Sequence, residues 1–162
     1  MSRLFTKIFI FLISLQCYSQ MNVSVNETNL FDPIDTPIYA GENISTEIES
    51  DSNAYLITVN ILPNNTNNTL YNSWHIDVQK SEIIWDSNLD LQIRLTGTGS
   101  SIYGNTASGQ TSYGSIQNSN TTIVNGTGWI DNIPLQVKIT GISVTLEAKN
   151  YSTYIIFTLI DD

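Results

Sequence analysis

Histidine and cysteine, the side chains that most often carry acid–base and nucleophilic chemistry near neutral pH, each occur once, as His75 and Cys17. His75 alternates with apolar neighbours in Trp74-His75-Ile76-Asp77-Val78, which puts it on the wet face of a strand with no triad partner in view. Glycoside cleavage needs two carboxylates with separated pKa values on either side of a sugar. Asp32, Asp35, Asp86 and Asp90 are the acids from which such a pair would be drawn, and their spacing selects no two of them. Asp86-Ser87-Asn88-Leu89-Asp90 begins like a calcium loop, but Leu91 stands where glycine must turn and Gly97 where a bidentate Glu is needed. Asp32, Asp35 and Asp51 form a second, weaker oxygen set for extracellular calcium. No glycine-rich phosphate loop followed by Lys is present. The expectation is a chain without catalytic, metal or cofactor residues, hence not an enzyme.

Binding is better supplied. Sugar platforms combine exposed aromatic rings with amides and carboxylates, because one pyranose face stacks while the hydroxyls need fixed polar partners. Tyr39, Tyr71, Trp85, Tyr103, Tyr113 and Trp129 could furnish such rings, with Tyr103, Tyr113 and Trp129 the candidate ligand residues. Trp74 alternates into the core, and Trp85 follows Ile83 at the same parity, so both are expected to pack. Asn-x-Ser/Thr triplets at Asn22, Asn26, Asn43, Asn64, Asn67, Asn120, Asn125 and Asn150 follow from the Asn, Ser and Thr content and add little.

The elements that must position these residues are strands. Leu89, Leu91, Ile93 and Leu95 share one face of a run whose other face holds Asp90, Gln92 and Arg94; Tyr55, Ile57, Val59 and Ile61 alternate in the same way. Further strands are expected at 22–26, 43–48, 74–78, 121–125, 134–140, 142–147 and 153–160. Turn signals stand between them, including Pro33, Pro37, Asp51-Ser52-Asn53, Pro63-Asn64-Asn65, Gly97-Thr98-Gly99 and Asn125-Gly126-Thr127-Gly128. The pattern predicts an all-β, single antiparallel β-sandwich, with a jelly roll or small barrel left open. Between Leu95 and Ile130 no residue is charged, and residues 96–118 are mainly Gly, Ser, Thr and Asn. Such low apolar content argues for a long mobile loop or polar hairpin rather than packed structure, although long loops also present ligands, here through Tyr103 and Tyr113.

The N-terminus reads as an export signal: Arg3 and Lys7, the apolar run Ile8 to Leu15, and small residues at Cys17 and Ser19. That run is too short to span a membrane. Cleavage after Ser19 would leave a domain of residues 20–162 without cysteine; lipidation of Cys17 is the competing route, disfavoured by Gln16 before it. Removing Arg3 and Lys7 leaves four basic residues against fifteen acids, a net of −11. Residues 20–79 hold eight of those acids and no Lys or Arg. A chain so charged cannot assemble the basic stripe that nucleic acid requires, and its acidity is read as solubility.

The last strand is apolar on both faces, Ile155, Phe157 and Leu159 on one side and Tyr154, Ile156 and Ile160 on the other. It is expected to be buried twice, by its own core and by something else, since an open edge of this kind aggregates. Met21, Val23 and Val25 alternate at the other terminus, as a strand completing a partner's sheet would, or as the first strand of its own sandwich. Met21, Val23, Val25, Tyr154, Ile156 and Ile160 are the candidate assembly residues. The close of the chain, Tyr154-Ile155-Ile156-Phe157-Thr158-Leu159-Ile160, resembles that of small immunoglobulin-like pilin and spore-coat-U-type surface subunits of Gram-negative bacteria, and Tyr18-Ser19-Gln20 is similar to signal exits in the Bacteroidota. The resemblance covers the signal and about thirty terminal residues; the cysteine pair of many such pilins is missing. It implies an immunoglobulin-like sandwich in the periplasm or at the cell surface, a structural or adhesive subunit handled by a periplasmic chaperone and assembled by β-strand donation. An extracellular carbohydrate-binding module is the alternative.

Overall fold

A computed structural model describes residues 21–28, 46–61, 72–143, 145–147 and 149–162. The signal segment, Cys17, Asp32, Asp35, Tyr39 and Tyr71 lie outside the described residues.

Among the described residues ten strands form two antiparallel sheets. They are β1 (Met21–Glu27), β2 (Glu47–Glu49), β3 (Tyr55–Ile61), β4 (Ser73–Ile84), β5 (Asp90–Leu95), β6 (Ser108–Gly109), β7 (Gly114–Ser115), β8 (Thr121–Thr127), β9 (Ile130–Thr140) and β10 (Ser152–Asp161). One sheet runs β1-β3-β9-β5-β7, with β2 also paired to β9; the other runs β10-β4-β8-β6. This is the expected two-sheet antiparallel sandwich. Alternation drives it: Ile57, Val59 and Ile61 of β3 and Leu91, Ile93 and Leu95 of β5 turn inward, with Leu135 and Val137 of β9 between them, and meet Trp74, Ile76 and Val78 of β4 and Val124 of β8. Each fully buried branched or aromatic side chain contributes roughly 1.5–3 kcal/mol relative to exposure.

β2 and β3 are one strand interrupted. Both lie along the same side of β9, Glu49 opposite Lys138 and Tyr55 opposite Leu135. The kink between them is held by buried Ser50: its backbone N–H donates to the Val137 carbonyl, its hydroxyl accepts from the Val137 N–H at 2.9 Å, and its carbonyl accepts from the Gln136 side-chain amide at 2.7 Å. The buried polar groups of this kink therefore leave no orphaned main chain.

Three expectations need correction. Residues 96–118 are no structureless loop: they contribute β6 to one sheet and β7 to the other, and bury Ala107 and Ile116. The turn expected at Asn125 to Gly128 begins later, because β8 continues through Gly126, against which the Trp74 indole packs so closely that a Cβ would collide with the ring. The strand expected at 142–147 is not formed among the described residues of that span. Gly141 has φ +84° and its backbone lies against the Asn88 carbonyl, after which Leu146 closes a turn onto the Ser143 carbonyl. Only glycine tolerates both that conformation and that approach.

Candidate functional site

The candidate site is the flank where β1 and β10 end their sheets. The opposite flank is closed by residues 96–118, through backbone bonds that tie both sheets at single points. The Gln110 carbonyl accepts from Leu95 of β5 at 2.7 Å while its N–H donates to Ile123 of β8 at 3.0 Å. Ile116 donates to the Leu91 carbonyl at 2.7 Å, and the Gln117 carbonyl accepts from Lys80 of β4 at 2.8 Å. Among the described residues nothing comparable joins β1 to β10.

β1 pairs with β3 over its full length, Met21 opposite Ile61 through Glu27 opposite Tyr55. It is thus the edge of its own sheet and not a free arm. Met21 and Val23 are half-buried against the core and Val25 is exposed. β10 pairs with β4, and after an irregularity between Ser152 and Thr153 the register is unbroken, Thr153 opposite Glu82 to Asp161 opposite Trp74. Ile155, Phe157 and Leu159 pack on the core. On the outer face Tyr154 is 64% and Ile156 39% exposed, and Ile160 is half-buried. The expectation of double burial holds on the inner side only; the described residues leave the outer face of β10 open.

Between the two edges the sandwich opens into a cleft. One part, about 640 Å³, is lined by Val25, Tyr55, Trp85, Ile139, Ile155 and Phe157 among others; another, about 450 Å³, lies between Met21, Val23, Phe157 and Leu159. Tyr55 and Phe157 meet edge to face at 5.5 Å across it. Burial, with a smaller contribution from the Glu27 carboxylate, pushes the Tyr55 phenol up to about 12. Trp85 is held by a hydrogen bond from its indole N–H to the Leu89 carbonyl at 2.9 Å, with the Lys80 ammonium 5.6 Å from its ring centroid.

The candidate ligand residues are not brought together. Tyr113 is half-buried on the outer face of the β5–β9 ladder, its ring between the Arg94 guanidinium at 4.5 Å and the Lys138 ammonium at 4.4 Å. Burial and Glu49 raise its phenol, against the pull of Arg94. It fastens its segment to the sheet. Trp129 is half-buried, its indole N–H donating to Asp131 Oδ1 at 2.8 Å. Tyr103 stands half-exposed at a turn beside exposed Ile102, and the Ser100–Asp131 bridge ties the start of that turn to the Trp129 region.

The acids are spent locally. Asp86 caps its own turn through the Asn88 N–H at 2.9 Å, and Asp90 accepts from Gln92 at 2.7 Å and Ser115 at 2.6 Å. His75 is less exposed than its strand position suggested: Nδ1 lies 2.6 Å from Asp162 Oδ1 and Nε2 3.7 Å from Asp77, itself bonded to Thr122. Both ring nitrogens face carboxylates, so neither is directed at a hydroxyl that it could activate. No sequence signal announced the Asp162 contact, because it requires β10 to pair with β4 in register. Among the described residues no group of three His, Cys, Asp or Glu is placed to hold a metal, and no helix is long and apolar enough to cross a membrane.

No family model, curated protein or solved structure matches the chain. The functional reading therefore rests on the flank itself.

Proposed function

We propose that the chain is an exported, non-enzymatic subunit of a bacterial surface assembly, an immunoglobulin-like sandwich that joins its neighbours through strand edges. One observation carries this. β10 ends a sheet among the described residues, has no charged residue from Ser152 through Ile160, and turns Tyr154 and Ile156 to solvent. Monomeric β proteins protect such edges with lysine, proline, bulges or a covering segment, because unpaired N–H and C=O groups template pairing with another chain. The export signal and the resemblance of the terminal strand to pilin-type subunits support the same reading, and a periplasmic chaperone is the partner expected to shield the edge before assembly.

The test is an immunoblot of native cell-surface extract with and without boiling in SDS. A ladder of multiples that collapses on boiling is the expected result; one band at the monomer mass under both conditions, in extract and in culture medium alike, overturns the reading. The exposed Ile102–Tyr103 tip tied to Trp129 favours a glycan-binding module as the second reading. It requires Tyr103→Ala and Trp129→Ala to lose glycan binding while the chain remains monomeric.

A further inference from the structure

We infer that the partner of the β10 edge is a second copy of this chain, docked antiparallel on a two-fold axis through Phe157. The inference rests on the assembly reading above and narrows it to one seam.

The geometry is constrained. In an antiparallel pair the main-chain groups of opposite residues both face the seam or both face away. Two identical strands related by a two-fold axis must therefore be centred on a residue, not between two. The regular part of β10 runs from Thr153 to Asp161, since the register breaks between Ser152 and Thr153. Its midpoint is Phe157. Centred there, every residue of the regular strand finds a counterpart: Tyr154 opposite Ile160 of the second copy, Ile155 opposite Leu159, and Ile156 opposite Thr158. On the inner face Ile155 then pairs with Leu159 and Phe157 with its own copy, apolar against apolar, with Thr153 opposite Asp161 only at the two ends. The outer face pairs an aromatic with a β-branched residue and two β-branched residues with each other, combinations that stabilise sheets.

Charge permits a copy of the same chain in this place and opposes it elsewhere. The chain carries fifteen acids against six basic residues, so two copies repel over most of their surfaces. The described bases are also engaged: Lys80 with Glu82, Lys138 with Glu47, Lys149 with Glu147, and Arg94 with Gln136. The seam is the exception. Its one acid, Asp161, falls opposite uncharged Thr153 at each end, so no like charges meet. Isologous pairing of this kind closes after two copies, the commonest symmetry of soluble assemblies. It also lays a second β10 beside the cleft walled by Phe157 and Leu159.

The test uses the full chain carrying Cys17→Ser, so that an introduced thiol is the only one. Ile156→Cys and Thr158→Cys are prepared separately, oxidised alone and mixed, and resolved by mass. The mixture is expected to form the 156–158 disulfide in excess over either self-linked dimer, because like positions sit diagonally, beyond comfortable disulfide reach, while unlike positions stand opposite. In parallel, Ile156→Lys is expected to shift the dimer seen by light scattering to monomer, and its thermal midpoint is expected to match that of the unaltered chain at concentrations low enough for the latter to be monomeric too. A monomer at the highest soluble concentration, a dimer indifferent to Ile156→Lys, or cross-links no richer in the mixture than alone would each overturn the inference; the first points to other residues of this chain or a foreign strand on the edge. The two levels fail separately. A boiling-sensitive surface ladder without the 156–158 cross-link keeps the assembly reading and removes this seam; the cross-link with only a dimer-sized species at the surface keeps the seam and removes the extended assembly.

Discussion

On one flank the sheets are joined by residues 96–118, built mainly from Gly, Ser, Thr and Asn; on the other, among the described residues, they stop at β1 and β10, whose core-packed residues are Met, Val, Ile, Phe and Leu. The polar flank is the closed one. Apolar content alone therefore does not decide which segment orders. In the closing segment the main chain itself is the adhesive, with Gln110 bonded to both sheets and Ile116 and Ala107 filling the core beneath. In β10 the apolar side chains exceed what one core can cover, so a surplus faces outward. Polar segments order when their backbone groups complete sheets, and apolar strands stay uncovered when topology places them last.

Breaking the closed flank is expected to have the largest effect. Ile116→Ala removes a fully buried side chain beneath the clamp, and should cost about 2–5 kcal/mol in denaturant unfolding, with β6 and β7 losing amide protection first. Phe157→Ala on the open flank should cost less, about 1–2 kcal/mol, because Phe157 is only half-buried and its loss widens an existing cleft. Equal losses would mean that the two flanks are packed alike.

The smallest effect is a pH dependence. Tyr55 titrates near 12 in the folded state against about 10 unfolded, so the folded state holds the phenolic proton more tightly. Its contribution is fully present below pH 10 and is lost as pH rises from there through 12. Ultraviolet titration should show one phenol ionising near pH 12, and Phe157→Ala, by opening the cleft, should bring that value down. A Tyr55 that titrates at its ordinary value in the unaltered chain would show that the cleft is already filled with water.

Much of the sandwich was legible in advance because period-two alternation is a local property. Tyr55 to Ile61, Asp90 to Leu95 and Ser152 to Asp161 are strands close to where the residues place them. The extension of β4 through Ile83 and Ile84 was not legible, since both residues are exposed and the extension rests on Glu82 and Ile84 pairing with Thr153 and Ser152 of β10, with Ile83 at the irregularity between them. Tyr113 stood out as a ligand residue because an aromatic in a Gly/Ser segment looks free; its stacking between Arg94 and Lys138 joins residues far apart in the chain.

The sequence by itself determined the strands, the acidity and the two-faced apolar character of β10, because each depends on residues adjacent along the chain. Tertiary structure alone decided which strands became edges, that residues 96–118 bridge the sheets, that His75 meets Asp162, and that the surplus apolar face of β10 is left uncovered among the described residues. Those outcomes depend on pairings between segments tens of residues apart. Such pairings are chosen by the free energy of the whole packed core, and no local pattern encodes that choice.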